Sequence, residues 1–282
     1  MTTPSPYGAA DGLVRVYPAA VLERPTPGLL WLHGGGFAGG DLDMPEADAV
    51  ARTLADAGTT VFSLDYRLAP LAEGTAVPES STGRERAHFP AASDDTMKAW
   101  EWALAEAATL GVDPDRLAIG GASAGGNIAV GAVLRLVETD RRLPALVLLA
   151  YPTLLAQQPE PDAALRAALD ANPEADRFGA AAVLGMYENY LGGAVDDAPL
   201  AAIPGRASGD ELAEFPPTLI VAGDVDELRV SSEHFARALA AAGRDVEHVV
   251  EPGTDHGHLN RPDDGPAASL TLDRFAARLA AL

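Results

Sequence analysis

Residues 116–136 read RLAIGGASAGGNIAVGAVLRL. The first part, Arg116 to Gly121, is a short apolar run of buried-strand type. The second, Ala124 to Glu138, is small and apolar on most faces, which predicts a deeply buried helix. Between them lies Gly121-Ala122-Ser123-Ala124-Gly125, a G-x-S-x-G pattern at a strand-to-helix turn. Small residues on both sides let the backbone fold back sharply, so the serine oxygen points outward. The helix N-terminus behind it favours developing negative charge. The five letters alone are weak, because Gly, Ala and Ser abound here, and a glycine-rich turn with an incidental serine is the alternative. The strand–turn–helix setting is what makes Ser123 a candidate nucleophile.

The same alternation extends in both directions. On the N-terminal side, strands are expected at Gly12–Ala19, Gly28–His33 and Thr59–Asp65. Helices are expected at Pro45–Ala57, with proline in its first turn and Gly58 as its stop, and at Ala91–Leu110. On the C-terminal side, strands are expected at Leu143–Tyr151, Thr218–Ala222 and Val246–Val250, and helices at Phe178–Leu191, Ser231–Ala242 and Ala267–Leu282. Leu71–Ala87 reads as a surface loop, and Leu154–Asp176 gives no clear pattern. Strands alternating with helices specify an α/β fold: a mostly parallel central sheet with helices on both faces, whose chemistry lies in loops after the strands.

Composition narrows the chemistry. The 282 residues contain no cysteine, which excludes disulfides, thiolate metal sites and cysteine nucleophiles. There are 41 Asp plus Glu against 20 Lys plus Arg, a formal charge of −21. So acidic a chain repels nucleic acid and anionic membranes, and neither is expected as a partner. The only lysine is Lys98, so a Walker loop is excluded. No signal peptide and no long apolar span are read, so a cytoplasmic protein without membrane insertion is expected.

A serine hydroxyl needs a base, and the base an orienting carboxylate. Of the histidines after Ser123, His234 falls in an expected helix and His248 in an expected strand. His256 and His258 lie in the loop after strand 246–250, and Gly257 beside His256 frees the backbone there, which favours His256 as the base. The loop after strand 218–222 offers Asp224, Asp226 and Glu227. The 30 residues from Asp226 to His256 hold one helix and one strand, enough to return the chain to the same sheet end. The pair His256-x-His258 lacks a third ligand, so no metal is expected. His33-Gly34-Gly35-Gly36-Phe37 follows a strand, and its glycines let backbone N–H groups crowd around an anion. His33 is read as a structural histidine tying this loop down. Gly34, Gly36 and Gly39 also spell a dinucleotide fingerprint, but residues 41–45 separate them from the helix they should open.

Taken together, HGGGF at 33–37, DYRLAP at 65–70, FPAASDD at 89–95, GGASAGGN at 120–127, DELR at 226–229 and DHGH at 255–258 resemble the hormone-sensitive-lipase-like carboxylesterases of the α/β-hydrolase fold. The resemblance implies Ser123 as nucleophile, His256 as base and Asp226 as acid, with Asp224 open as an alternative. It also implies oxyanion-hole donors at Gly35, Gly36 and Ala124. The expected activity is hydrolysis of a small-molecule ester with a short acyl chain, without metal or organic cofactor. Amide, lactone or carbamate hydrolysis, acyl transfer, and a non-catalytic ligand receptor are the alternatives. The expected organisation is one α/β-hydrolase domain over 1–282 with a reduced or absent N-terminal cap and wall segments at 71–87 and 154–192. Phe37 and His88 are candidate substrate-lining residues. A homodimer through the sheet edge and last helix is the candidate assembly.

Overall fold

A computed structural model describes residues 4–20, 25–71 and 83–282. Eight strands form one sheet among these residues: β1 (Tyr7–Ala9), β2 (Val14–Tyr17), β3 (Thr26–Leu32), β4 (Thr60–Leu64), β5 (Val112–Ala122), β6 (Val147–Ala150), β7 (Thr218–Val225) and β8 (Val246–Asp255). Their order is β1-β2-β4-β3-β5-β6-β7-β8. β1–β2 and β2–β4 pair antiparallel, and every other neighbour pair is parallel. Seven helices accompany them: α1 (Pro45–Asp56), α2 (Ala91–Leu110), α3 (Ala124–Glu138), α4 (Ala163–Ala171), α5 (Ala180–Leu191), α6 (Arg229–Ala241) and α7 (Ala267–Ala280). No helix among the described residues is long and apolar enough to cross a membrane.

Side-chain alternation along β3 shows why both faces are covered. Leu29 and Trp31 join one core cluster, with Val50 and Leu54 of α1 and Leu272 and Phe275 of α7. Leu30 and Leu32 join the other, with Trp100 of α2, Ile128 of α3 and Phe235 of α6. A strand with period-two geometry that is apolar at every position has to be sandwiched, and β3 is buried along its whole length. Burying each such Leu or Phe contributes about 2 kcal/mol, so the two layers dominate stability.

The expected elements form with shifted ends. β5 starts at Val112, ahead of the apolar run, because Thr26 pairs with Val112 before the register shifts. β6 is confined to Val147–Ala150. β7 and β8 run on to Val225 and Asp255, where Val225 pairs with Asp255. β1 was not anticipated, since its three residues are mostly exposed and carry no pattern. α4 resolves part of the unpatterned stretch; the Asp162 carboxylate accepts the Leu165 N–H at 2.8 Å and caps it. Of the expected wall segment 71–87, residues 72–82 lie outside the described residues.

Candidate active site

Ser123 sits between the last residue of β5 and the first of α3, with φ 52° and ψ −118°. That positive φ is strained for a residue with a side chain and costs on the order of 1–3 kcal/mol. Tertiary bonds hold it: the Ser123 N–H donates to the Ala150 carbonyl at 2.9 Å, and the Ser123 carbonyl accepts the Thr153 N–H at 3.3 Å. A Cβ at Gly125 would stand 2.3 Å from the carbonyl oxygens of Leu32 and His33, so only glycine lets α3 start this close to β3.

The extensions of β7 and β8 bring the other two groups to the serine. His256 Nε2 lies 3.0 Å from Ser123 Oγ, across 133 residues of sequence, and His256 Nδ1 lies 2.8 Å from Asp226 Oδ2. A carboxylate only accepts, so Nδ1 carries the proton and the Nε2 lone pair faces the serine hydroxyl. Asp226 is fully buried, and its other oxygen accepts the Leu228 N–H at 2.9 Å. Ser123 and His256 keep 8% and 7% of their surface exposed, a narrow opening for a reactant. The imidazole is gripped edge-on by Tyr151 and Phe178, with ring centroids at 4.9 and 4.5 Å. Asp224 is elsewhere: its Oδ1 accepts the Thr254 N–H at 2.9 Å.

The glycine loop lies against this group. A Cβ on Gly34 would come 3.1 Å from Ser123 Cβ. Gly35 has φ 118° and its carbonyl accepts the Gly39 N–H at 2.8 Å, closing a tight turn. The Gly35 and Gly36 N–H groups make no hydrogen bond with the described residues. Ala124 opens α3, where an N–H has no partner within the helix. These three N–H groups thus have no hydrogen-bond partner among the described residues. His33 is buried, stacks on Tyr66 at 4.5 Å and bonds the Gly34 carbonyl through Nδ1 at 2.7 Å, fixing the loop. Burial pushes its imidazole down to about 4, so it stays neutral.

The two expected lining residues, Phe37 and His88, both meet α5. Phe37 is 1% exposed and stacks on Tyr190 at 4.0 Å, with Tyr187 edge-on at 5.2 Å. It packs α5 against the core. His88 is exposed, and its Nδ1 lies 2.8 Å from the Asn189 carbonyl at the end of α5. His258 bonds Thr271 Oγ1 at 2.8 Å and packs on Tyr151. Met186 of α5 faces the glycine loop, since a Cβ on Gly36 would meet its Sδ at 3.3 Å. Sequence reading missed Met186, Phe178, Tyr151 and Glu46. Nothing local marks them; each reaches the site through tertiary packing.

The α/β hydrolase fold family matches residues 85–260. Carboxylesterase NlhH of Mycobacterium tuberculosis is 37% identical over 278 residues, covering 96% of this chain and 79% of that protein. An ethyl acetate hydrolase of Pseudomonas putida is 31% identical over 242 residues, covering 82% of this chain and 65% of that protein. The solved Pyrobaculum calidifontis esterase superposes with a TM-score of 0.78 at 27% identity, covering 98% of this chain and 83% of that one. This chain therefore belongs to the hormone-sensitive-lipase-like carboxylesterases of the α/β-hydrolase fold and is a carboxylic ester hydrolase.

Proposed function

We propose that the chain hydrolyses short-acyl carboxylic esters through Ser123, His256 and Asp226 by way of an acyl-enzyme. The observation that carries this reading is the relay of 3.0 Å from Ser123 Oγ to His256 Nε2 and 2.8 Å from His256 Nδ1 to Asp226. His256 takes the serine proton as Oγ attacks the ester carbonyl, and Asp226 holds the tautomer and balances the imidazolium. The tetrahedral oxyanion is received by the N–H groups of Gly35, Gly36 and Ala124, each donor being worth roughly 10²–10³ in rate. The imidazolium then protonates the departing alcohol. Water, activated by the same histidine, attacks the acyl carbonyl and frees Ser123.

A small acyl group is supported by what surrounds the reacting atoms. Met186 stands over Gly36 on the oxyanion side and Phe178 over His256 on the base side. Both belong to the 154–192 wall, which we propose as part of a single catalytic domain. The similarity to an ethyl acetate hydrolase points the same way. The test is hydrolysis of p-nitrophenyl esters across acyl length by the wild type and Ser123→Ala. Serine-dependent turnover that peaks at acetate or butyrate is expected. Activity persisting in Ser123→Ala would overturn the nucleophile, and a peak at long acyl chains would overturn the acyl site.

A further inference from the structure

Glu46 is the second residue of α1, and its side chain turns inward until only 2% of the residue is exposed. A buried carboxyl is costly unless its oxygens are bonded, and here each has a donor. Oε1 accepts the Gly34 N–H at 2.7 Å, and Oε2 accepts the Tyr151 hydroxyl at 2.8 Å. The main chain of Glu46 is fixed too. Its carbonyl accepts the Trp31 indole N–H at 2.8 Å, and its N–H donates to Asn260 Oδ1 at 3.2 Å.

These partners lie on three separate segments. Gly34 begins the oxyanion loop. Tyr151 follows β6, next to the Ala150 carbonyl that holds the Ser123 N–H, and its ring packs on His256. Asn260 closes the turn that follows His256. The reach to Gly34 depends on the missing side chain there, because a Cβ would stand 2.5 Å from Glu46 Oε1. Among the described residues, no other carboxylate bonds both the oxyanion loop and a ring that touches the base.

We propose that Glu46 is a positioning residue that keeps the oxyanion loop and the base in register with each other. One oxygen sets the loop through the Gly34 amide. The other sets the Tyr151 ring, and through it the plane of His256. The proposal rests on the Ser123–His256–Asp226 reading and deepens it. Donors and base must both be held within about 0.5 Å of the geometry the tetrahedral adduct requires, and a misplacement near 1 Å costs about 100-fold. Glu46 touches neither substrate nor reacting atoms. Removing it should lower kcat with little effect on KM, because the loss falls on the transition state.

The experiment compares Glu46→Ala, Glu46→Gln, Tyr151→Phe and the double variant Glu46→Ala/Tyr151→Phe, with p-nitrophenyl acetate as probe. Active sites are counted by stoichiometric reaction with diethyl p-nitrophenyl phosphate, so that kcat refers to competent molecules only. Glu46→Ala should lose about 10- to 100-fold in kcat per titrated site, with KM within about 3-fold. Glu46→Gln, which still offers an oxygen to Gly34, should recover most of that loss. Tyr151→Phe should lose less than Glu46→Ala. The double variant should be no slower than Glu46→Ala, since both changes cut one linkage. A kcat per site within 2-fold of wild type in Glu46→Ala overturns the proposal, as do independent, multiplying losses in the double variant. If Glu46→Ala does not fold, a fully active Tyr151→Phe is the overturning result. Ser123→Ala in the same series separates the two failures. Activity surviving there sinks the triad reading and this proposal with it, whereas an inactive Ser123→Ala beside an undiminished Glu46→Ala sinks the positioning role alone.

Discussion

Asp224 spans the gap between β7 and β8 by accepting the Thr254 amide at 2.9 Å, two residues short of the carboxylate that meets His256. The bond leaves Asp224 a structural part in joining the two strand ends, and the adjacent shift in register turns Asp226 toward the imidazole. Asp226→Asn should therefore lower kcat by about 10³-fold or more, since the amide can present the wrong group to Nδ1. Asp224→Asn, which keeps an oxygen for Thr254, should stay within about 10-fold of wild type and lose about 1 kcal/mol of stability. Steady-state kinetics and urea unfolding of both variants check this, and equal kinetic losses would refute the assignment.

Two buried histidines make the fold acid-sensitive. Burial pushes the imidazoles of His33 and His258 down to about 4, with the nearby His256 adding to the effect at His258. The unfolded chain takes up a proton at each near 6.5 and the folded chain only near 4. Their contribution is complete above pH 6.5 and is lost as pH falls through about 4. Each is worth roughly 3 kcal/mol. Asp65 and Glu46 oppose this, because burial raises both carboxyls, that of Asp65 to about 6, so the Asp65 contribution is complete below 3.8 and lost as pH rises through about 6. Urea midpoints should fall from pH 7 to pH 4.5. His258→Gln should flatten that decline, and Asp65→Asn should gain stability at pH 8. A slope unchanged in His258→Gln would contradict the account.

Gly35 tolerates no side chain. Its φ of 118° and a prospective Cβ 2.1 Å from the Gly39 carbonyl oxygen mean that alanine must unmake the turn. Gly35→Ala should lower kcat by about 100-fold or more through the displaced donors. Circular dichroism should remain near wild type, since the sheet registers do not depend on this turn. A variant with undiminished kcat would remove the loop from the oxyanion hole.

Met186 and Phe178 should set acyl preference. Met186→Ala removes the group over Gly36 and should raise the kcat/KM of hexanoate relative to acetate by about 10-fold, one or two methylenes being worth that much in an apolar site. Initial rates measured separately on the two p-nitrophenyl esters give the ratio. A chain-length profile identical to wild type would exclude Met186 from the acyl wall.

Much of this site is legible in the sequence because the sheet enforces local grammar. The apolar runs of β3 and β5, and the glycines at 34–36 and around Ser123, follow from backbone crowding that few residues satisfy. Strand ends were harder to read. β7 and β8 extend beyond their apolar runs because they pair with each other there, through polar residues such as Asp255. The burial of Phe37 is hard to read for a related reason. Its neighbours Tyr187 and Tyr190 lie about 150 residues away, and no local pattern announces that an aromatic beside a glycine loop will be buried under a later helix. Glu46 looks like an ordinary acid in the first turn of a helix until Gly34 and Tyr151 are seen to converge on it.

The pairing of β7 with β8 also sets a timetable. Ser123 and its glycine loop lie in the first half of the chain, whereas Asp226 and His256 arrive on the two strands completed last. During synthesis, N-terminal segments emerge first. A growing chain therefore carries Ser123 without its base while the 133 residues up to His256 are added, and the linkage to His256 closes only when β8 joins the edge of the sheet. A chain stalled before His256 lacks the imidazole that Ser123 Oγ faces at 3.0 Å.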